Sequence, residues 1–128
     1  MDKILENLRY TNTHEWVELF KDSLVRIGIS DYAQHALGDL VFINLPVEGD
    51  TVTVGQAFGD LESVKAVSEI ISPVTGTVTA VNKDVVDRPE IINEDPYKNW
   101  FIEVSDITDT AVLKSAAEYK EFCIKEAL

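Results

Sequence analysis

Along most of this chain apolar and polar residues alternate in short runs, the pattern of half-buried strands. Trp16-Val17-Glu18-Leu19-Phe20 and Leu24-Val25-Arg26-Ile27-Gly28-Ile29 flank Lys21-Asp22-Ser23 and predict a hairpin. Ser30 then caps a short helix over Asp31 to Leu37, which Gly38 ends at C′. Val41 to Leu45 reads as a strand stopped by Pro46 and a turn at Glu48-Gly49-Asp50. Thr51 to Val54, Ala57 to Ser63 and Val67 to Ser72 follow as strands. Thr77 to Val81 comes after a predicted turn at Pro73-Val74-Thr75-Gly76, and Trp100 to Val104 closes the set. Asp84 to Lys98, with Pro89 and Pro96 among polar residues, reads as a surface loop.

The C-terminus changes period. Ser115 with Glu118 forms a capping-box pattern, and strong helix formers run from there to the end. Tyr119, Phe122 and Cys123 fall on one stripe, which predicts packing against the sheet. The expected fold is mainly β, a flattened sandwich with a short helix after the first hairpin and a C-terminal helix. A length of 128 residues suits one domain with a real core. We assign that domain to residues 1–128, its core to about 10–104 and its last helix to about 115–127.

A formal net charge of −12 excludes ordinary nucleic-acid binding, because such a surface repels phosphate. Two uses of the acidity stay open: solubility, or docking on partners with basic patches. The first nine residues mix acids and bases with scattered aliphatics and have no apolar signal-peptide region. Leu40-Val41-Phe42-Ile43 is far too short to span a bilayer. One cysteine, Cys123, allows no internal disulfide and fits a reducing compartment, so the cytoplasm is the expected location. His14, His35 and Cys123 lack metal-ligand spacing, and Cys123 lies on the packing stripe, so neither a metal site nor a Cys–His catalyst is expected.

The chemistry concentrates in Gly59-Asp60-Leu61-Glu62-Ser63-Val64-Lys65-Ala66-Val67-Ser68-Glu69-Ile70. Two strand-like runs meet there with no Gly, Pro, Asn or Asp at the bend, and the bend holds a lysine. An exposed hairpin lysine is ordinarily solvent-facing decoration. Gly49 stands sixteen residues before Lys65 and Gly76 eleven after it, each read as a turn beside a Thr/Val-rich strand, a faint pseudo-repeat.

The run Glu62-Ser63-Val64-Lys65-Ala66, followed by Ser68-Glu69 and Ser72-Pro73-Val74-Thr75-Gly76, resembles the lipoylation site of glycine cleavage H proteins. His14-Glu15-Trp16-Val17, Ile27 to Gln34, Leu37 to Phe42, Leu45-Pro46, Ile92-Asn93, Asp95-Pro96-Tyr97 and Trp100 resemble further motifs of that family, in order. The likeness runs from about Leu8 to Phe122. It implies the barrel-sandwich hybrid of lipoyl and biotinyl carriers, with lipoate joined to Lys65 as an amide. It also implies that Glu62, Gly49 and Gly76 help a lipoate ligase or octanoyltransferase recognise the hairpin. The arm would take an aminomethyl group from a pyridoxal-phosphate glycine decarboxylase to a tetrahydrofolate-dependent aminomethyltransferase. Dihydrolipoamide dehydrogenase would then reoxidise it. The chain would be a non-catalytic carrier, expected as a monomer, and would fold the loaded arm into a cleft for which Glu15, Glu69 and Thr13 are candidates.

Two features depart from the family pattern. Tyr32 and Ala36 stand where many relatives have histidine, and Tyr97-Lys98-Asn99-Trp100 lacks a glycine-containing spacer. Four other readings remain: a biotinyl domain, the lipoyl domain of a 2-oxoacid dehydrogenase, an interaction module with Lys65 unmodified, and a relay that donates lipoyl groups to other enzymes. The first two usually flank the lysine with methionines or precede it with Asp, whereas here Val64 and Ala66 flank it.

Overall fold

The computed structural model describes residues 2–21 and 23–127, so Asp22 of the predicted first turn lies outside the described residues. Strands β1 (Arg9–Tyr10), β2 (Glu15–Lys21) and β3 (Leu24–Ile29) lead into helix α1 (Asp31–Leu37). Then come β4 (Leu40–Asn44), β5 (Thr51–Val52), β6 (Ala57–Ser63), β7 (Val67–Ile71) and β8 (Val74–Val81). Short helices α2 (Lys83–Asp87) and α3 (Ile91–Glu94) precede β9 (Ile102–Thr110) and helix α4 (Ala116–Ala127). The strands form two antiparallel sheets, one ordered β1-β2-β3-β9-β8-β5 and one ordered β4-β6-β7, and neither closes on itself.

The alternation of apolar residues decides what each sheet buries. Val17, Val25, Ile27, Val74, Val78 and Val104 of the larger sheet face Leu40, Ile43, Leu61 and Ile70 of the smaller one across the main core. The opposite face of the larger sheet carries a second, aromatic core of Leu8, Tyr10, Trp16, Tyr119 and Cys123. Here α4 lies on the sheet, with Tyr119 stacked on Tyr10 at 4.3 Å between ring centroids. The capping box is reciprocal: Ser115 N donates to Glu118 Oε1 (2.8 Å) and Glu118 N to Ser115 Oγ (3.2 Å). Ser30 caps α1 by accepting from Ala33 N (3.1 Å).

Three segments differ from their sequence reading. Gly76 is not in a turn. It lies inside β8 and pairs with Val52, and a Cβ there would sit 2.5 Å from Ser105 O and 2.7 Å from Val104 Cγ1. That glycine serves close strand approach, a role the Pro-Val-Thr-Gly string hides. The chain reverses one step earlier, where Ser72 Oγ donates to Val74 O (2.6 Å). Residues 84–98 are not a surface loop either, for α2 and α3 bury Val85, Ile91 and Ile92 in the main core. Pro89 stands just ahead of α3, where a missing N–H costs no helical bond, and its carbonyl accepts from Ile92 N. Finally β9 runs on to Thr110, because its register with β8 continues to the Val74↔Thr110 pair.

Trp16 and Gly28 face each other in the β2–β3 register. The indole lies over the glycine, and Trp16 Nε1 donates to Pro96 O (3.1 Å). A Cβ on Gly28 would come 2.6 Å from two ring carbons of a side chain that is buried and cannot swing away. Gly28→Ala should therefore lower stability by about 1–3 kcal/mol through overpacking. Urea unfolding followed by tryptophan emission measures it, and an unchanged midpoint would contradict the close approach.

Candidate functional site

The β6–β7 hairpin turns at Ser63-Val64-Lys65-Ala66 without any residue at positive φ. Ser63 does the work that Asn, Asp or Gly does in most tight turns. Its Oγ accepts from Lys65 N (3.3 Å) and Ala66 N (3.0 Å), while its own N–H donates to Ala66 O (2.8 Å). Val64 N donates to Asp39 O (3.0 Å), which ties the tip to the corner between α1 and β4. Lys65 is exposed at the apex. Its stem passes Gly38, where a Cβ would meet Lys65 Cε at 3.5 Å. Among the described residues neither a side-chain hydrogen bond nor an ion pair engages its amine. A primary amine held out in this way suits acylation.

Leu61 points into the core, so its neighbours on β6 point out. Glu62 stands between Phe42 and Val67 in one outward row, and Asp60 between Asn44 and Glu69 in the next. Asn44 Nδ2 donates to Asp60 Oδ1 (2.9 Å), which offsets part of the Asp60–Glu69 repulsion. Phe42, Val64 and Val67 stay exposed beside the lysine, at 47%, 69% and 68%. The lysine therefore stands in a surface that is apolar at its centre and acidic around it.

The remaining sequence candidates divide. Glu15, 1% exposed, is the one carboxylate in the buried set among the described residues. Its Oε1 accepts from Thr11 Oγ1 (2.6 Å) and from Thr13 Oγ1, and its Oε2 from Ile71 N (3.1 Å). The structure thus brings Glu15 and Thr13 together. Glu69 stands apart from them on the outer face of β7, exposed. Gly49 sits in an exposed turn at φ 95°, a conformation that favours glycine, with open space around it.

His14 Nδ1 lies 2.6 Å from Tyr119 Oη and Nε2 2.7 Å from Glu126, so neither ring nitrogen faces Cys123. Burial lowers the His14 pKa and raises that of the Cys123 thiol, which is 8% exposed. A buried thiol of this kind is a poor nucleophile. Asp2, Asp31 and His35 bring their ligand atoms within 4.8 Å, but Asp31 already accepts from Lys3 N and Gln34 Nε2 (2.8 Å each). No described helix is long and apolar enough to cross a membrane. Sequence reasoning missed Ser63, Gly38 and Thr11. The glycine-free bend pointed to a substitute acceptor, and Ser63 was the residue able to provide one.

Two open antiparallel sheets, with an exposed lysine at the apex of a pinned hairpin, define a small β protein with short helices. The family model for the glycine cleavage H-protein matches residues 8–126. A glycine cleavage system H protein of Lachnoclostridium phytofermentans is 51% identical over 124 residues, 97% of this chain and 98% of that protein. One of Herpetosiphon aurantiacus is 47% identical over 128 residues, covering 99% and 98%. The crystal structure of a Mycobacterium marinum glycine cleavage system H protein superposes with a TM-score of 0.88 at 38% identity, covering 98% of this chain and 100% of that one. The chain belongs to the glycine cleavage H-protein family.

Burial outweighs the donors around Glu15 and holds its pKa above the usual value of 4.5. A carboxyl that protonates more readily folded than unfolded stabilises the fold below the unfolded pKa, and this contribution fades as pH rises through the folded one. Glu15→Gln does not titrate. The stability of the parent relative to that variant should therefore fall as pH is raised from about 4 to about 7. Paired denaturation curves test this, and a constant difference would refute it.

Proposed function

We propose that this chain is the non-catalytic lipoyl carrier of glycine cleavage, with lipoate joined to Lys65. The observation that supports it most directly is an exposed, uncommitted lysine amine at the apex of a turn fixed by Ser63 and Asp39. When bound there, the group supplies a strained disulfide on an arm reaching about 14 Å, able to carry an aminomethyl group between enzymes and electrons onward. The donor is the pyridoxal-phosphate glycine decarboxylase and the acceptor the tetrahydrofolate-dependent aminomethyltransferase. Dihydrolipoamide dehydrogenase receives the electrons.

Glu62 faces outward at the base of the tip, which suits recognition by the lipoate ligase or octanoyltransferase. Gly49 and Gly76 contribute through the backbone they permit, Gly76 from inside β8. Glu15 and Thr13 form one polar cluster and Glu69 a separate carboxylate on β7, and all three stay candidates for receiving the cationic tip of a loaded arm. The chain acts as a monomer in the cytoplasm. The relay reading uses the same hairpin and differs in needing no shelter for the tip, so the polar Glu15–Thr13 cluster favours glycine cleavage.

Lys65→Arg should fold like the parent yet accept no lipoyl group and support no glycine cleavage, since a guanidinium keeps the charge but forms no such amide. Peptide mapping after incubation with lipoate, ATP and a ligase locates the modification. The lipoylated parent should raise glycine–bicarbonate carboxyl exchange by the decarboxylase above the free-lipoamide level. Modification elsewhere, or exchange no better than free lipoamide while lipoyl transfer proceeds, would replace this reading. With a net charge of −12 steering encounter, the apparent KM for the carrier should rise with salt as the screening length falls from about 10 Å at 0.1 M to about 3 Å at 1 M. A flat response would assign the acidity to solubility.

A further inference from the structure

Strand β4 holds the β6–β7 hairpin along β6 as far as the Leu40↔Ser63 pair, but the apex Val64-Lys65-Ala66 lies beyond that register. What holds it is the strap Gly38-Asp39-Leu40 between α1 and β4. Asp39 O receives Val64 N (3.0 Å), and the Lys65 stem passes over Gly38. The strap is itself an unusual piece of backbone. Gly38 adopts φ 82°, ψ −158°, a region essentially closed to other residues.

One side chain spans the strap. Asn93 Nδ2 donates to Gly38 O (2.9 Å) and Oδ1 accepts from Leu40 N (2.9 Å), so a single amide grips the residues on both sides of Asp39. The second hydrogen of Nδ2 goes to Gln34 Oε1 (2.9 Å), and Gln34 Nε2 in turn donates to Asp31 Oδ1 (2.8 Å), so the clamp is anchored in α1. Asn93 rides on α3, whose Ile91 and Ile92 are buried in the main core. A rigid path therefore runs from the core through Asn93 and the strap to the turn that carries the lysine. Among the described residues Asn93 makes no side-chain hydrogen bond to Lys65 or to the hairpin.

We infer that Asn93 is a positioning residue for the acylation of Lys65: it fixes the strap that orients the hairpin tip for the modifying enzyme. This rests on Lys65 being the acylated residue. An enzyme that must seat a protruding tip loses affinity when the tip samples several directions, because ordering it then costs entropy on binding. The loss appears in encounter with the carrier and not in the chemical step, since the lysine amine is unaltered.

The test uses the full apo chain with lipoate, ATP and a lipoate ligase. Asn93→Ala should raise KM for the carrier about tenfold, the equivalent of about 1.4 kcal/mol, and leave kcat within about twofold. Amide exchange at Val64 should quicken by a similar factor while amides in the main core keep their protection. Asn93→Asp keeps an acceptor for Leu40 N but sets a carboxylate oxygen against Gly38 O. It should fall on the same side as alanine and serves if alanine fails to fold. Asn82→Ala is the structural control, since Asn82 caps α2 and donates to Trp100 O (2.8 Å), and neither bond involves the strap or Asn93. It should cost stability without moving KM or Val64 exchange. An unchanged KM and unchanged Val64 exchange in both Asn93 variants would overturn the assignment, as would an equal KM rise in Asn82→Ala. The exchange measurement needs no modification, so it judges Asn93 even if the ligase places lipoate elsewhere, an outcome that would instead overturn the reading of Lys65.

Discussion

The bond from Val64 N to Asp39 O is the constraint around which the site is organised. Lys65 is exposed, and exposure removes the packing that normally fixes a loop. Here the apex has no side chain in the core, so its direction depends on backbone bonds made below it. Ser63 closes the turn from inside and Asp39 holds it from outside, each bond worth about 0.5–1.5 kcal/mol net. Several such bonds along one short stretch give a stiff tip without burying Lys65.

The buried carboxylate of Glu15 performs a related task between the sheets. It belongs to β2 of the larger sheet and accepts from Ile71 N on β7, one of the two edge strands of the smaller one. An edge strand exposes unpaired N–H groups that invite association, and one of them is consumed here. Burying a carboxylate is unfavourable, and hydroxyls from Thr11 and Thr13 with the Ile71 amide offset part of what desolvation removes. Such an arrangement ties the hairpin's base to β2. The lysine is thus referenced to the main core at both ends of β7.

Much of this was legible in the sequence, because local chemistry and tertiary packing agreed there. The Ser30 cap, the Ser115–Glu118 box and the Tyr119–Cys123 stripe all follow local rules, and each is found in place. The failures are equally physical. Gly76 looked like a turn residue, yet the neighbour that demands a glycine is Ser105, twenty-nine positions away and invisible to a local reading. Prolines 89 and 96 suggested a loop, whereas Pro89 precedes a helical turn that tolerates it and Pro96 lends its carbonyl to Trp16. The lysine motif itself was readable only through resemblance, since by physics alone an exposed lysine carries no signal.

His14 joins the two cores. It sits at φ 74°, a strained conformation for a residue with a Cβ, and such strain persists only where surrounding bonds over-determine it. Its carbonyl accepts from Ser30 N (2.9 Å), its ring bonds Tyr119 and Glu126 of α4, and it stacks on Tyr32 of α1. The next residue is Glu15, which faces the other way, into the space between the sheets. The left-handed step at His14 is what lets one short turn send a ring outward and a carboxylate inward. Tyr119 links His14 to Ser30, the cap of the helix that ends at the Gly38 strap. The aromatic core thereby bears on both the polar cluster at Glu15 and the corner where the hairpin tip rests. Helix α4 is therefore more than a cover for apolar surface: it holds in place the turn from which the buried carboxylate and the α1 cap are both set.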